Sequence, residues 1–160
     1  SEAKHRAWSQ YNIIDLRVFG FFSRMIDLTT PYLICDIINC VREKRQLITF
    51  SDDIIRDYIH PEDLTRLVEL CMKTENINDV FDIYSSMPIR KFDIIEHFVQ
   101  NHQLQVMVQG TIGQSATGAK SNYFTRNERA SQLGYSPQFT SFDSIITQSE
   151  SLLKEMSDRR

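Results

Sequence analysis

The sequence predicts one α/β domain. Short runs dense in β-branched and aromatic residues alternate with stretches whose apolar residues recur at helical spacing. Prolines stand where two of the helices should open, at Pro31 and Pro61. A length of 160 residues, with 41% apolar and 24% charged residues, suits a soluble globular domain with a sizeable core. Strands that alternate with helices imply right-handed crossovers.

Residues 1–10 read as a polar helical segment. The chain opens inside it without a Met, so a fragment of a longer protein is expected. Residues 12–20 read as a strand, and Gly20 ends it with a bare backbone that a ligand could approach closely. A helix from Pro31 to about Lys44 follows, with Leu33, Ile34, Ile37, Ile38 and Val41 at helical spacing. Residues 46–50 form a short strand, Ser51-Asp52-Asp53 a turn, and 54–60 the next strand. Pro61 then opens a helix with Glu62 and Asp63 in its first turn, the charge sign a helix N-terminus favours. Its buried stripe is Leu64, Leu67, Val68 and Cys71. A strand over 80–84, a helix over 90–101 and a strand over 104–108 come next. Residues 110–121 make a Gly/Ser/Thr-rich loop. Thr125-Arg126-Asn127-Glu128 matches a capping box for a short helix ending near Gly134. A last amphipathic helix spans 140–156, with Phe142, Ile145, Ile146 and Leu152 inward.

The charge balance is −3, from 18 basic and 21 acidic residues with His neutral. Nothing in it forms a footprint for nucleic acid. The run Arg42-Glu43-Lys44-Arg45 reads as a solvated helix end. The 3 cysteines, Cys35, Cys40 and Cys71, have no metal-ligand spacing and read as reduced, buried thiols. With no visible signal peptide and no membrane-length apolar run, a cytoplasmic protein is expected.

Arg56 is stranded within an apolar, aromatic run. A buried cation needs an anionic partner, so two readings stand. Arg56 is an ion pair with Asp57, Asp52 or Asp53, which composition alone favours, or it clamps an anionic ligand through its planar fork. On a strand, Arg56, Tyr58 and His60 would share one polar, aromatic face, suited to a cleft wall. His60 could be a catalytic base, a common role of histidine, but its place before Pro61 points to the turn instead. The stretch from Gly113 to Ser121 only superficially resembles a phosphate-binding P-loop, because Ala119 separates Gly118 from Lys120. A loop that brings Lys120 to an anionic ligand stays open. No cysteine sits in an electropositive loop, which argues against a thiol nucleophile.

Leu16-Arg17-Val18-Phe19-Gly20-Phe21-Phe22, with Arg56-Asp57-Tyr58-Ile59-His60-Pro61-Glu62-Asp63-Leu64 downstream, resembles the C-terminal half of the extended short-chain dehydrogenase/reductases. These form the NAD-dependent epimerase/dehydratase family, which acts on nucleotide sugars. Ala130-Ser131-Gln132-Leu133-Gly134-Tyr135-Ser136-Pro137 is similar to that family's closing helix. The resemblance covers nearly the whole chain, and the stretch from Arg56 is its most specific part.

The resemblance implies the C-terminal portion of a Rossmann-type doubly wound sheet plus a small α/β substrate-binding lobe. Residues 1–28 would end the dinucleotide-binding domain. Residues 29–160 would be mainly the nucleotide-sugar lobe, with 55–85 returning to the Rossmann sheet. It also implies that Arg56 contacts the diphosphate, that Leu47, Ile48 and Phe50 line the base pocket, and that Thr29 and Thr30 touch the nucleotide. Val18, Phe19 and Gly20 would lie near the nicotinamide of NAD or NADP. Two departures stand out. The family commonly has Asn where Gly20 stands, and its second phosphate-binding arginine is missing, leaving Lys120 and Tyr123 nearest.

Neither the Gly-rich phosphate loop nor the Tyr-x-x-x-Lys pair occurs here; in the family both lie upstream. The resemblance therefore implies the C-terminal segment of an NAD(P)-dependent nucleotide-sugar epimerase or 4-reductase, homodimeric when whole and inactive as this piece. The alternative is a non-catalytic binding or regulatory protein on the same scaffold. A third reading is a free-standing α/β domain in which Arg56 is only a salt bridge.

Overall fold

The computed structural model of the chain describes residues 1–110 and 122–158. The order is α1 (Glu2–Ala7), β1 (Ile13–Val18), α2 (Leu33–Glu43), β2 (Leu47–Phe50), β3 (Ile55–Arg56), α3 (Pro61–Met72), β4 (Asn78–Ile83), β5 (Ile89–Arg90), α4 (Lys91–His102), β6 (Val106–Gln109), β7 (Asn122–Tyr123), a 3-10 turn (Arg129–Leu133) and α5 (Ser141–Asp158). β1 pairs with β4 and β2 with β6, both parallel. β3 lies between β5, antiparallel, and β7, parallel. The chain is α/β, as its alternating periodicities predict.

Two apolar cores divide these elements. The first gathers Ile37 and Ile38 of α2, Ile94 and Phe98 of α4, and Ile145 of α5 over Leu47 of β2. The second gathers Phe81 and Ile83 of β4, Leu67 of α3, Ile59, Ala130 and Tyr135. The charges that interrupt β1 serve α1. Asp15 pairs with His5 at 2.8 Å and Arg6 at 2.7 Å, while Arg17 reaches Glu2. Such partly exposed pairs fix the helix's place more than they add stability.

Several sequence expectations need correction. The expected strand over 54–60 is a regular strand only at Ile55–Arg56, with a single parallel bridge from Ile59 to Phe21 beyond it, because Gly20 and Ser141 claim the backbone there. The Tyr58 amide donates to Ser141 Oγ at 2.8 Å and the Ile59 amide to the Gly20 carbonyl at 3.0 Å. α2 starts at Leu33 rather than Pro31, since Tyr32 stays extended at ψ 144. The capping box is not at Thr125, whose hydroxyl donates to Asp82 at 2.6 Å and accepts the Asn127 amide at 2.9 Å. A reciprocal cap stands instead at α5. There Thr140 Oγ1 accepts the Asp143 amide at 3.0 Å, and Asp143 Oδ2 accepts the Thr140 amide at 2.9 Å. The Thr140 hydroxyl, which donates to the same Oδ2 at 2.6 Å, and then the Thr140 amide hold the Asp143 carboxyl below its ordinary range.

On α3, Val68 of the expected apolar stripe is exposed, while Leu67 is fully buried. Cys35 and Cys40 are buried and Cys71 partly so; all are free thiols. Burial pushes each thiol's pKa up, which suits inert side chains rather than nucleophiles. No helix among the described residues is long and apolar enough to cross a membrane.

Candidate functional site

A cleft of about 490 Å³ opens at the C-terminal end of β1. Val18, Phe19 and Gly20 form one side, Arg56 and Tyr58 another, with Pro31 and Tyr32 ahead of α2 on a third. Parallel α/β sheets present ligands beyond the carboxyl ends of their strands, and this cleft has that position.

Arg56 is held by neutral contacts. Its Nη1 donates to the Ile55 carbonyl at 3.2 Å, and its guanidinium lies 5.9 Å from the centre of the Tyr123 ring. Tyr123 in turn packs on Phe19 with ring centres 5.2 Å apart. Among the described residues Arg56 makes no ion pair. Two of its proposed acidic partners are committed elsewhere. The Asp57 carboxylate accepts Ser141 Oγ–H at 2.9 Å and the Ser85 amide at 3.2 Å. Asp53 accepts Arg90 and the Phe92 amide. Among the described residues the fold thus builds no ion pair from Arg56 to Asp57 or Asp53.

Gly20 has a structural reason of its own. A Cβ there would sit 2.4 Å from the Asp57 carbonyl oxygen. The backbone after β1 therefore runs against the Asp57–Ile59 backbone with no room for a side chain.

Other candidates lie outside this cleft. Leu47 is buried in the first core, while Ile48 and Phe50 point out from the opposite face of β2. The Thr29 amide and hydroxyl both donate to Asp27 Oδ1, at 2.9 and 2.8 Å. Thr30 closes the same turn through its amide to the Asp27 carbonyl at 3.0 Å. Lys120 and the P-loop-like stretch fall outside the described residues.

His60 is a turn residue. It caps α3, its Nδ1 accepting the Glu62 amide at 3.2 Å, and its ring stacks on Phe139 at 3.8 Å. Nearby, the buried Asp63 carboxylate accepts the Gln138 and Phe139 amides at 3.0 and 3.1 Å. That contact ties the segment after Gly134 to the start of α3.

Sequence reasoning missed Lys91. It opens α4, is only 7% exposed, lines the cleft, and its Nζ donates to the Phe50 carbonyl. Burial lowers its pKa, with Asp52 and Asp53 acting against that shift. A signal existed: Lys91 precedes Ile94 and Ile95 by 3 and 4 positions, which puts it on the helix's apolar stripe.

No protein-family model matches the sequence, and no similar curated protein was found. Solved structures do match. UDP-glucuronic acid 4-epimerase from Bacillus cereus, in complex with UDP-glucuronic acid and NAD, superposes with a TM-score of 0.76 at 18% identity, over 96% of this chain and 48% of that one. dTDP-glucose 4,6-dehydratase from Bacillus anthracis, in complex with NAD, gives 0.77 at 13%, over 99% and 49%. UDP-glucose 4-epimerase from Thermotoga maritima, with UDP-glucose, gives 0.77 at 15%, over 97% and 51%. The chain has the fold of half a nucleotide-sugar epimerase. At these identities the likeness is one of fold, and the chain spans about half the length of the structures it matches. The fold expected from the motifs around Leu16 and Arg56 is the one found.

Proposed function

We propose that this chain is the nucleotide-sugar-binding half of an NAD(P)-dependent epimerase, dehydratase or 4-reductase. Residues 1–28 would be the last part of the dinucleotide-binding domain and 29–160 mainly the substrate lobe, with 55–85 returning to the Rossmann sheet. The observation that carries this reading is Arg56, a cleft-lining cation braced by an aromatic ring and without an ion-pair partner among the described residues. A guanidinium so held has its fork available for the paired oxygens of a diphosphate. The structures of like fold named above were determined with NAD, with UDP-glucuronic acid or with UDP-glucose, which supports that ligand class.

The residues present fit a nicotinamide at one place. Val18 and Phe19 offer an apolar wall at the end of β1, and Gly20 keeps the adjoining backbone low. The bound nicotinamide would supply hydride chemistry. This chain's part is to hold the sugar nucleotide in register with it, a positioning contribution to rate. Lys120 and Tyr123 would add to the anion site, while Leu47, Ile48, Phe50, Thr29 and Thr30 are the candidates for contacts to base and ribose.

The test is calorimetric titration of UDP-glucose and dTDP-glucose into the full-length protein and its Arg56→Ala variant. Affinity should fall by about 2–4 kcal/mol, the scale for truncating one member of a buried charge pair. Equal affinities in the two proteins overturn the clamp. Tight binding with no NAD-dependent turnover selects a non-catalytic protein on this scaffold.

A further inference from the structure

A second convergence of side chains lies where α4 packs beside α5. His97 and His102 of α4 and Glu150 of α5 direct their ligating atoms at one spot, all within 4.8 Å of one another. Glu150 Oε1 stands 2.8 Å from His102 Nε2 and 3.8 Å from His97 Nε2. His97 Nε2 is buried and has no hydrogen-bond partner among the described residues. A buried, unsatisfied ring nitrogen is costly and calls for an explanation.

Both imidazoles are held in place before any ligand arrives. His97 meets Phe98 and Phe142 edge-on, at ring-centre distances of 5.5 and 5.3 Å, and Phe98 also packs on His102 at 5.2 Å. Each histidine side chain is 18% exposed, whereas that of Glu150 is 49% exposed. The arrangement has two fixed nitrogens and one adjustable oxygen at its outer edge.

We infer that His97, His102 and Glu150 bind a zinc ion that staples α5 to α4, with a fourth position open to water. Two imidazoles and one carboxylate are a donor set zinc takes, whereas calcium and magnesium favour oxygen alone. With metal–donor bonds of about 2.0–2.2 Å, tetrahedral donors stand roughly 3.3–3.6 Å apart. The Glu150 distances of 2.8 and 3.8 Å bracket that spacing and all three donors lie within 4.8 Å of one another, so a small approach of the two rings with rotation of the exposed carboxylate would bring them to ligating distance. His97 Nδ1 now accepts the Asn101 amide at 3.4 Å, which leaves the proton of the neutral ring on Nε2. Metal binding at Nε2 moves that proton to Nδ1. The Asn101 amide then turns to present its oxygen, as partners of ligating histidines do.

The test strips the full-length protein with a chelator, dialyses it and titrates zinc chloride against a chromophoric competitor. Wild type should take up one more equivalent than the His97→Gln/His102→Gln double variant, and its melting temperature should rise with zinc where the variant's does not. Glu150→Gln, an exposed change that leaves the packing intact, should weaken zinc binding at least about tenfold and serves should the double variant fail to fold. Magnesium chloride at the same concentration should leave the melting temperature unchanged. The three cysteines are common to every protein compared, so they cancel in the difference. Equal zinc stoichiometry and affinity in wild type and Glu150→Gln overturn the site and leave a plain His102–Glu150 hydrogen bond.

Discussion

The Asp57 carboxylate accepts the Ser141 hydroxyl at 2.9 Å, and the Ser141 oxygen accepts the Tyr58 amide at 2.8 Å. Both side chains are buried, and Ser85 Oγ, 3.0 Å from Ser141 Oγ, joins them. The segment that carries Arg56 into the cleft is therefore fastened to the first turn of α5 by one hydroxyl.

Ser141→Ala leaves a buried carboxylate and a part-buried amide short of partners. The expected cost is about 1–3 kcal/mol, from the desolvation of groups left unpaired. A urea titration of wild type and variant measures it. A difference within error would mean that water or another group takes the hydroxyl's place.

Gly20→Ala puts a methyl 2.4 Å from the Asp57 carbonyl oxygen, so one of the two backbones must move. Overpacking of this kind costs about 1–3 kcal/mol. Because the displaced backbone adjoins Arg56, nucleotide-sugar affinity in the full-length protein should fall as well. Unchanged stability with unchanged affinity would show that the approach is looser than described.

Tyr123→Leu removes the ring under the Arg56 guanidinium. The expected loss in nucleotide-sugar affinity is about 0.5–1 kcal/mol, the worth of an exposed cation–π contact. In the Arg56→Ala background the same change should cost nothing more. Strict additivity of the two substitutions would separate the ring from the clamp.

Lys91 bears on alkaline stability. Burial lowers its folded pKa below the ordinary 10.5, so the native state gives up this proton first. Between the lowered and the ordinary value the unfolded chain holds more protons, and the Lys91 contribution to stability rises with pH. Below the lowered value both states are protonated and the penalty is fully present. The stability of wild type relative to Lys91→Met should therefore climb as pH rises toward 10.5. A difference that stays flat over that range contradicts the burial effect.

The helices and parallel strands were legible because their periods are local. Ile34, Ile37 and Ile38 announce one buried face, and Val80 and Phe81 announce a strand. What escaped notice depends on residues distant in sequence. Nothing near Asp57 signals that its carboxylate belongs to Ser141, and so the strand looked longer than its pairing. Thr125 carried a capping pattern but turned to Asp82, while Thr140 and Asp143 formed the cap. At the site, the motif brought Phe19, Gly20 and Arg56 to the same cleft. That Asp57 and Asp53 do not pair with Arg56 among the described residues follows from what each does elsewhere.

The bond between Asp57 and Ser141 also sets an order of assembly. Its partners are 84 residues apart, and chains fold from the N-terminus as they are made. Closing so long a loop raises the entropic cost only slowly with length, yet contacts of long sequence separation form late. A chain halted before residue 141 would contain β3 and all of α3, with the Asp57 carboxylate still waiting for its donor. Arg56 is synthesised early, but the bond that fastens its segment to α5 can form only once Ser141 has been made.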